Sequence, residues 1–159
     1  MKNILTLLVL LITLNTYAQK VYDPNADARK DIAEAVNKAG KEGKHVLIQA
    51  GGNWCKWCLE FARFGKAEPR IDSLITDSYV WYHLNWSREN ENADIFREYG
   101  YPQRFGFPVF IILDGKGNRI HTQSSEYLED GKSSYDVKKV FEFLVNWTPQ
   151  ILRDELYRK

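Results

Sequence analysis

The chain holds two cysteines, Cys55 and Cys58, two residues apart within Gly51-Gly52-Asn53-Trp54-Cys55-Lys56-Trp57-Cys58. Thiols at this spacing can cycle between dithiol and disulfide, or they can supply half of a four-coordinate metal site. A purely structural disulfide across so short a loop would staple little, because the loop-closure entropy it removes grows with loop length. The metal reading needs two further ligands, and His45, His83 and His121 are scattered without ligand spacing. A redox pair needs one sulfur that ionises readily. If a helix begins near Cys55, its sulfur lies among the unpaired backbone N–H groups of the helix start, where the dipole also favours a thiolate. Lys56 adds a positive charge beside it. Residues three apart share a helix face, so Cys58 can reach Cys55, and its place one turn further in makes it the buried, resolving thiol. Trp54 and Trp57 straddle the sulfurs and offer an apolar rim to a polypeptide partner. Core filling is the plainer reading for tryptophan, and it is the one adopted for Trp81 and Trp86.

The elements that must hold this motif can be read from the hydrophobic pattern. Ile32, Val36 and Ala39 recur at helical spacing within Ala26 to Lys41, with Gly40 and Gly43 as stops. His45 to Ala50 is a short apolar run between glycine signals and fits a buried strand that leads straight into the cysteines. Helix continues through Leu59 to Lys66, restarts at Glu68-Pro69, and gives way to an aromatic-rich strand over Tyr79 to Trp86. After a polar loop, Ser87 to Asn92, come a helix over Ala93 to Tyr99 and a strand, Val109 to Leu113, opened by Pro108. Asp114-Gly115-Lys116-Gly117-Asn118 turns that strand into Arg119 to Gln123 as a hairpin. Val137, Val140, Phe141, Leu144 and Val145 form an amphipathic stripe, and Thr148-Pro149 starts a last short helix over 149–157. Helices alternating with strands, then a hairpin and a helix, predict an α/β fold with a mixed sheet.

The chain has 159 residues, 44% hydrophobic and 27% charged, which suits a single ordinary domain. Lys plus Arg number 22 and Asp plus Glu 21, so no basic surface calls for nucleic acid. Residues 1–18 read as a signal peptide: Lys2 near the start, an apolar run from Ile4 to Leu14, and a small residue, Ala18, at the expected cut. That run is too short for a spanning helix of about 20 residues, and retention as an anchor is the alternative. Export, to a periplasmic or secreted destination where disulfides persist, follows for residues 19–159, with no stable membrane insertion after cleavage.

Strand, then Trp54-Cys55-x-x-Cys58, then helix, with Tyr99-Gly100 and Phe107-Pro108-Val109-Phe110-Ile111-Ile112-Leu113-Asp114-Gly115 downstream, resembles thioredoxin over roughly Ala26 to Trp147. Phe64, Glu68-Pro69-Arg70-Ile71 and Tyr79-Val80 are closer to the exported thioredoxin-like branch that includes the C-terminal domain of the DsbD membrane electron transporter. The resemblance implies a thioredoxin fold with a central mixed β-sheet flanked by helices on both faces. It also implies a cis peptide bond before Pro108, Cys55 as nucleophile beside that proline, and Phe107 pairing with the backbone of a bound substrate. Protein thiols and disulfides are the implied substrates and a membrane electron donor an implied partner, with the chain a monomer and the cysteine pair itself the redox cofactor.

The departures bear on the mechanism. The family often places a buried acid six positions before the first cysteine, but here that residue is Gln49, which cannot titrate. His83 stands where thioredoxins have a lysine facing that acid, so it is a candidate base for the Cys58 proton; the alternative is a packed strand residue. Lys56-Trp57 replaces Gly-Pro between the cysteines, and Arg63 replaces a kinking proline. The resulting expectation is an exported thiol-disulfide oxidoreductase working as a reductase through a mixed disulfide on Cys55. The alternatives are an oxidase or isomerase with the same site, or a non-catalytic module holding a peptide on Trp54, Trp57, Phe105 and Phe107.

Overall fold

The computed structural model describes residues 20–153 together with 156 and 157; the expected signal peptide lies outside the described residues. Four strands form one sheet in the order β2-β1-β3-β4, where β1 is His45–Gly51, β2 Tyr79–Asn85, β3 Val109–Leu113 and β4 Arg119–Ser124. β1 pairs parallel with β2 and antiparallel with β3, which pairs antiparallel with β4. This is the mixed sheet expected of a thioredoxin fold. The parallel pair needs a crossover, supplied by α2 (Lys56–Ala67) and α3 (Pro69–Ser78). The antiparallel pair β3-β4 closes through a tight turn in which Asp114 Oδ1 accepts from the N–H groups of Lys116 and Asn118.

β1 and β3 are buried along their whole length, and successive side chains alternate between the two faces. Val46, Ile48, Ala50, Val109, Ile111 and Leu113 meet α1 (Ala28–Glu42) and α4 (Ala93–Glu98) through Ile32, Ala35, Ile95 and Phe96. Leu47, Phe110 and Ile112 meet the opposite layer, α2, α3 and α5 (Val137–Asn146), through Phe61, Ile71, Ile75, Val140 and Leu144. The helix ends follow local chemistry: Asp27 and Asp136 cap α1 and α5 by accepting from Lys30 N–H and Lys139 N–H. Gly43, at φ 65°, ends α1 in the left-handed conformation. With Arg63 in place of a proline, α2 runs unbroken to Ala67, and the break falls at Glu68-Pro69.

Two expectations are corrected. Residues 149–152 form successive turns rather than the start of a helix. Pro149 stands where α5 has already ended at Asn146, and four residues carry too few backbone bonds to propagate a new helix without packing. The packed body also begins before Ala26, because Tyr22 is fully buried.

Candidate active site

Gln49 shares a face of β1 with Leu47, and the parallel register sets it beside His83 of β2, both turned toward α2. β1 then ends in two glycines that let neighbouring groups approach the backbone. A β-carbon on Gly51 would lie 2.4 Å from Cys58 Sγ, and one on Gly52 would lie 2.4 Å from Trp54 Nε1 and 2.6 Å from the Trp86 carbonyl oxygen. Real side chains cannot tolerate these distances, so Gly-Gly is required for the sulfur and the indole to sit where they do.

Cys55 is the N-cap of α2. Its Sγ accepts a hydrogen bond from the Cys58 backbone N–H at 3.2 Å, and its carbonyl accepts from Leu59 N–H. The sulfur therefore occupies the position in which a capping oxygen normally stands, at the positive end of the helix dipole. Cys55 and Cys58 are joined as a disulfide, with Cα atoms 5.2 Å apart. Cys58 is fully buried, whereas Cys55 keeps 6% of its surface in contact with solvent. Any incoming partner therefore meets Cys55 first.

The expected rim is present but divided. Trp54 is 60% exposed and anchored at one end, its Nε1 donating to the Trp86 carbonyl at 2.7 Å. Its ring meets Phe107 edge-on at 5.5 Å, and Phe107 in turn lies against Trp86 and Phe96 and against the cluster of Tyr22, Cys55 and Cys58. Trp86, expected as core filler, does pack against the core through Phe96, and being half-buried it also shares this aromatic ledge. Trp57 is half-buried and turned the other way, its ring edge-on to Tyr135, whose hydroxyl donates to the Trp57 carbonyl. Lys56 is exposed on the first turn of α2. Phe105 stands apart, stacked under Arg104 in a cleft with Thr122 and Tyr127. Pro108 is buried at the start of β3, and the Phe107-Pro108 peptide bond is cis.

Gln49 is fully buried, and its Nε2 donates to the Cys58 carbonyl at 2.8 Å and to the Tyr22 hydroxyl at 2.7 Å. His83 lines a cavity of about 540 Å³ with Lys20, Val21, Ala62, Arg63, Lys66 and Trp81. Burial, with Lys66 adding to it, holds the imidazole down at about 4, so it stays neutral near pH 7 and does not titrate near 6.5 as the free side chain would. His45 and His121 both lie at Trp147, the first bonding its carbonyl and the second stacking on its ring. Among the described residues, no three His, Cys, Asp or Glu side chains are placed so that they could hold a metal ion.

Tyr22 and Asn53 are site residues that sequence reasoning does not find. Asn53 Oδ1 accepts from the backbone N–H groups of Val21 and Tyr22, and its Nδ2 donates to the Tyr22 carbonyl at 2.7 Å. One side chain thereby imitates a strand partner and straps the N-terminal segment onto the cysteine loop. Asn53 beside the motif is visible in the sequence, but its partner lies 31 residues away.

Comparison with known proteins agrees with this geometry. Residues 27–115 match the model of a family described as thioredoxin-like. Over 113 residues the chain is 24% identical to the thiol:disulfide interchange protein DsbD of Colwellia psychrerythraea, a match covering 69% of this chain and 18% of that much longer relative. Among solved structures, a disulphide isomerase from Xylella fastidiosa superposes with a TM-score of 0.69 at 20% identity, covering 79% of this chain and 94% of that one. The oxidised C-terminal domain of Neisseria meningitidis DsbD gives 0.54 at 18% identity, covering 74% and 94%. With the strand-cysteine-helix geometry, the cis proline and a family match across more than half its length, the chain belongs to the thioredoxin-like family.

Proposed function

We propose that the protein is an exported thiol-disulfide oxidoreductase that reduces disulfides in other proteins. The observation that carries this reading is the asymmetry of the two sulfurs: Cys55 at the helix cap with a small part of its surface reaching solvent, Cys58 behind it and sealed. In the reduced protein the Cys55 thiolate attacks a substrate disulfide. A Cys55-substrate bond forms, the substrate S–S bond breaks, and one substrate thiolate leaves and takes a proton from solvent. Cys58 then loses its proton and attacks Cys55 Sγ, which releases the second substrate thiolate and leaves the Cys55-Cys58 disulfide. Two electrons have passed to the substrate, and a dithiol donor, by this reading a membrane protein, must restore the pair. Trp54 and Phe107 form the ledge on which substrate backbone rests, with Lys56 and Trp57 at its edge. His83 is neutral and one strand from Gln49, but with its imidazole held at about 4 it is too weak a base to keep the Cys58 proton, so by this reading it passes the proton on to water rather than storing it. Similarity to a thiol:disulfide interchange protein supports the chemistry.

The test is a pair of traps. Cys58→Ser should accumulate mixed disulfides with exported proteins and Cys55→Ser none; trapping by neither, or by Cys55→Ser alone, would overturn the assignment. Equilibration with glutathione fixes direction, since ~30 mV shifts a two-electron equilibrium tenfold. A reductase should lie on the reducing side of that couple.

A further inference from the structure

Tyr22 is fully buried in a small cluster with Cys55 and Cys58. Its hydroxyl accepts from Gln49 Nε2, and the direction of that bond is fixed by chemistry. The same Gln49 atom lies 2.8 Å from the Cys58 carbonyl oxygen, which can only accept, so the atom is the amide nitrogen and the Tyr22 oxygen is the acceptor. The phenol's own hydrogen is then left over, and among the described residues no hydrogen bond uses it. The absent β-carbon of Gly51 marks where it can go: that point lies 2.4 Å from Cys58 Sγ and 3.0 Å from the Tyr22 oxygen, so sulfur and hydroxyl flank one bare α-carbon. While the disulfide is closed, Cys58 Sγ is a weak acceptor; once it opens, the sulfur can carry a full negative charge.

Resting on the oxidoreductase reading above, we propose that Tyr22 is a positioning residue that donates a hydrogen bond to the Cys58 thiolate and so stabilises its charge, beside a position where the family often has a buried acid and this chain has Gln49. Asn53 holds it there, through three hydrogen bonds to the backbone of residues 21 and 22. The charged and titratable groups facing Tyr22 are Cys55 and Cys58 on α2, His83 on β2, whose ring lies 5.5 Å away, and, at longer reach, Tyr135; Lys66 faces His83. Desolvation pushes the Tyr22 and Tyr135 phenols well above the ordinary tyrosine range, so both remain donors, and His83 is neutral above about pH 4. In a Cys55→Ala background Cys58 is therefore, of the groups that face Tyr22 itself, the one that titrates between pH 6 and 11.

The experiment follows the Cβ carbon resonance of Cys58 in reduced Cys55→Ala protein across that range, with and without Tyr22→Phe. A hydrogen bond to a charged group predicts that Tyr22→Phe raises the Cys58 pKa by about one pH unit. In single-turnover resolution of a Cys55 mixed disulfide near pH 7, the same change should slow Cys58 by about threefold. The tenfold loss of thiolate is partly offset by the greater nucleophilicity of the more basic sulfur. An unshifted Cys58 titration in Tyr22→Phe overturns the inference. It leaves the redox assignment standing, because that depends on the two traps described above. Should Tyr22→Phe not fold, the parent protein answers: the Tyr22 Cζ resonance must move with the Cys58 titration, and a flat Cζ trace overturns the inference equally.

Discussion

The two faces of the sheet are built to different rules. Facing α1 and α4, every inward residue of β1 and β3 is apolar, and the face does nothing but exclude water. Facing α2, the same strands carry Gln49, with Trp81 and His83 beside it on β2, and Gln49 Oε1, Trp81 Nε1 and His83 Nε2 are all buried without a protein partner. An unpartnered buried polar atom costs about 1–3 kcal/mol. The first face thus supplies stability from which the second, beside the sulfurs, departs.

The contrast can be broken from either side. The largest effect expected is on activity: Cys55→Ser should reduce disulfide exchange to background in an insulin-reduction assay, with the fold retained by circular dichroism. Ile48→Ala, on the apolar face, should do the reverse. It should cost about 3 kcal/mol in denaturant unfolding, while alkylation of Cys55 in the reduced, folded protein keeps its rate. Gly51→Ala acts where both demands meet. Its β-carbon would press on Cys58 Sγ and on the Tyr22 hydroxyl, so it should cost about 2 kcal/mol and also impair closure of the disulfide, which thiol titration after mild oxidation would read.

Acid should separate the faces further. His83 holds its proton more weakly in the folded state, at about 4, than the ~6.5 expected when unfolded, so between these values the unfolded chain binds the extra proton. Its contribution to stability is complete above about pH 6.5 and is lost as the pH falls toward 4. The loss is about 2 kcal/mol once partial exposure is allowed for, and His83→Gln should abolish it. His121, lowered by its own burial, drifts in the same direction in both proteins and cancels in the comparison. The smallest effect on stability belongs to Trp54→Ala. That side chain is mostly exposed, so unfolding should change by less than about 1 kcal/mol, while KM for a peptide disulfide rises and kcat holds.

Most of the element order is legible in the residue pattern, because strand and helix periods are local and β1, β3 and α5 carry them plainly. The cysteine geometry is legible for the same reason: a sulfur three residues ahead of its partner at a helix start has few places to be. The short terminal helix is the exception, since Thr148-Pro149 is a good start signal without a packing face behind it. Trp86 packs on the core as expected and also edges the rim, because an aromatic residue just past a strand end can do both, and composition does not distinguish them.

The sequence by itself determined that Cys55 caps a helix and that Cys58 lies behind it, since both follow from spacing along one chain segment. It also determined that no carboxylate stands at position 49. Only the tertiary structure decided what surrounds Cys58 in its absence. Tyr22 reaches Cys58 because Asn53 ties down a segment 31 residues away, and His83 meets Gln49 because a parallel register, set by the crossover through α2 and α3, aligns their strands. Neither the strap nor the register leaves a mark on the local pattern, because each is a pairing between distant segments whose partners are fixed only when the whole core closes.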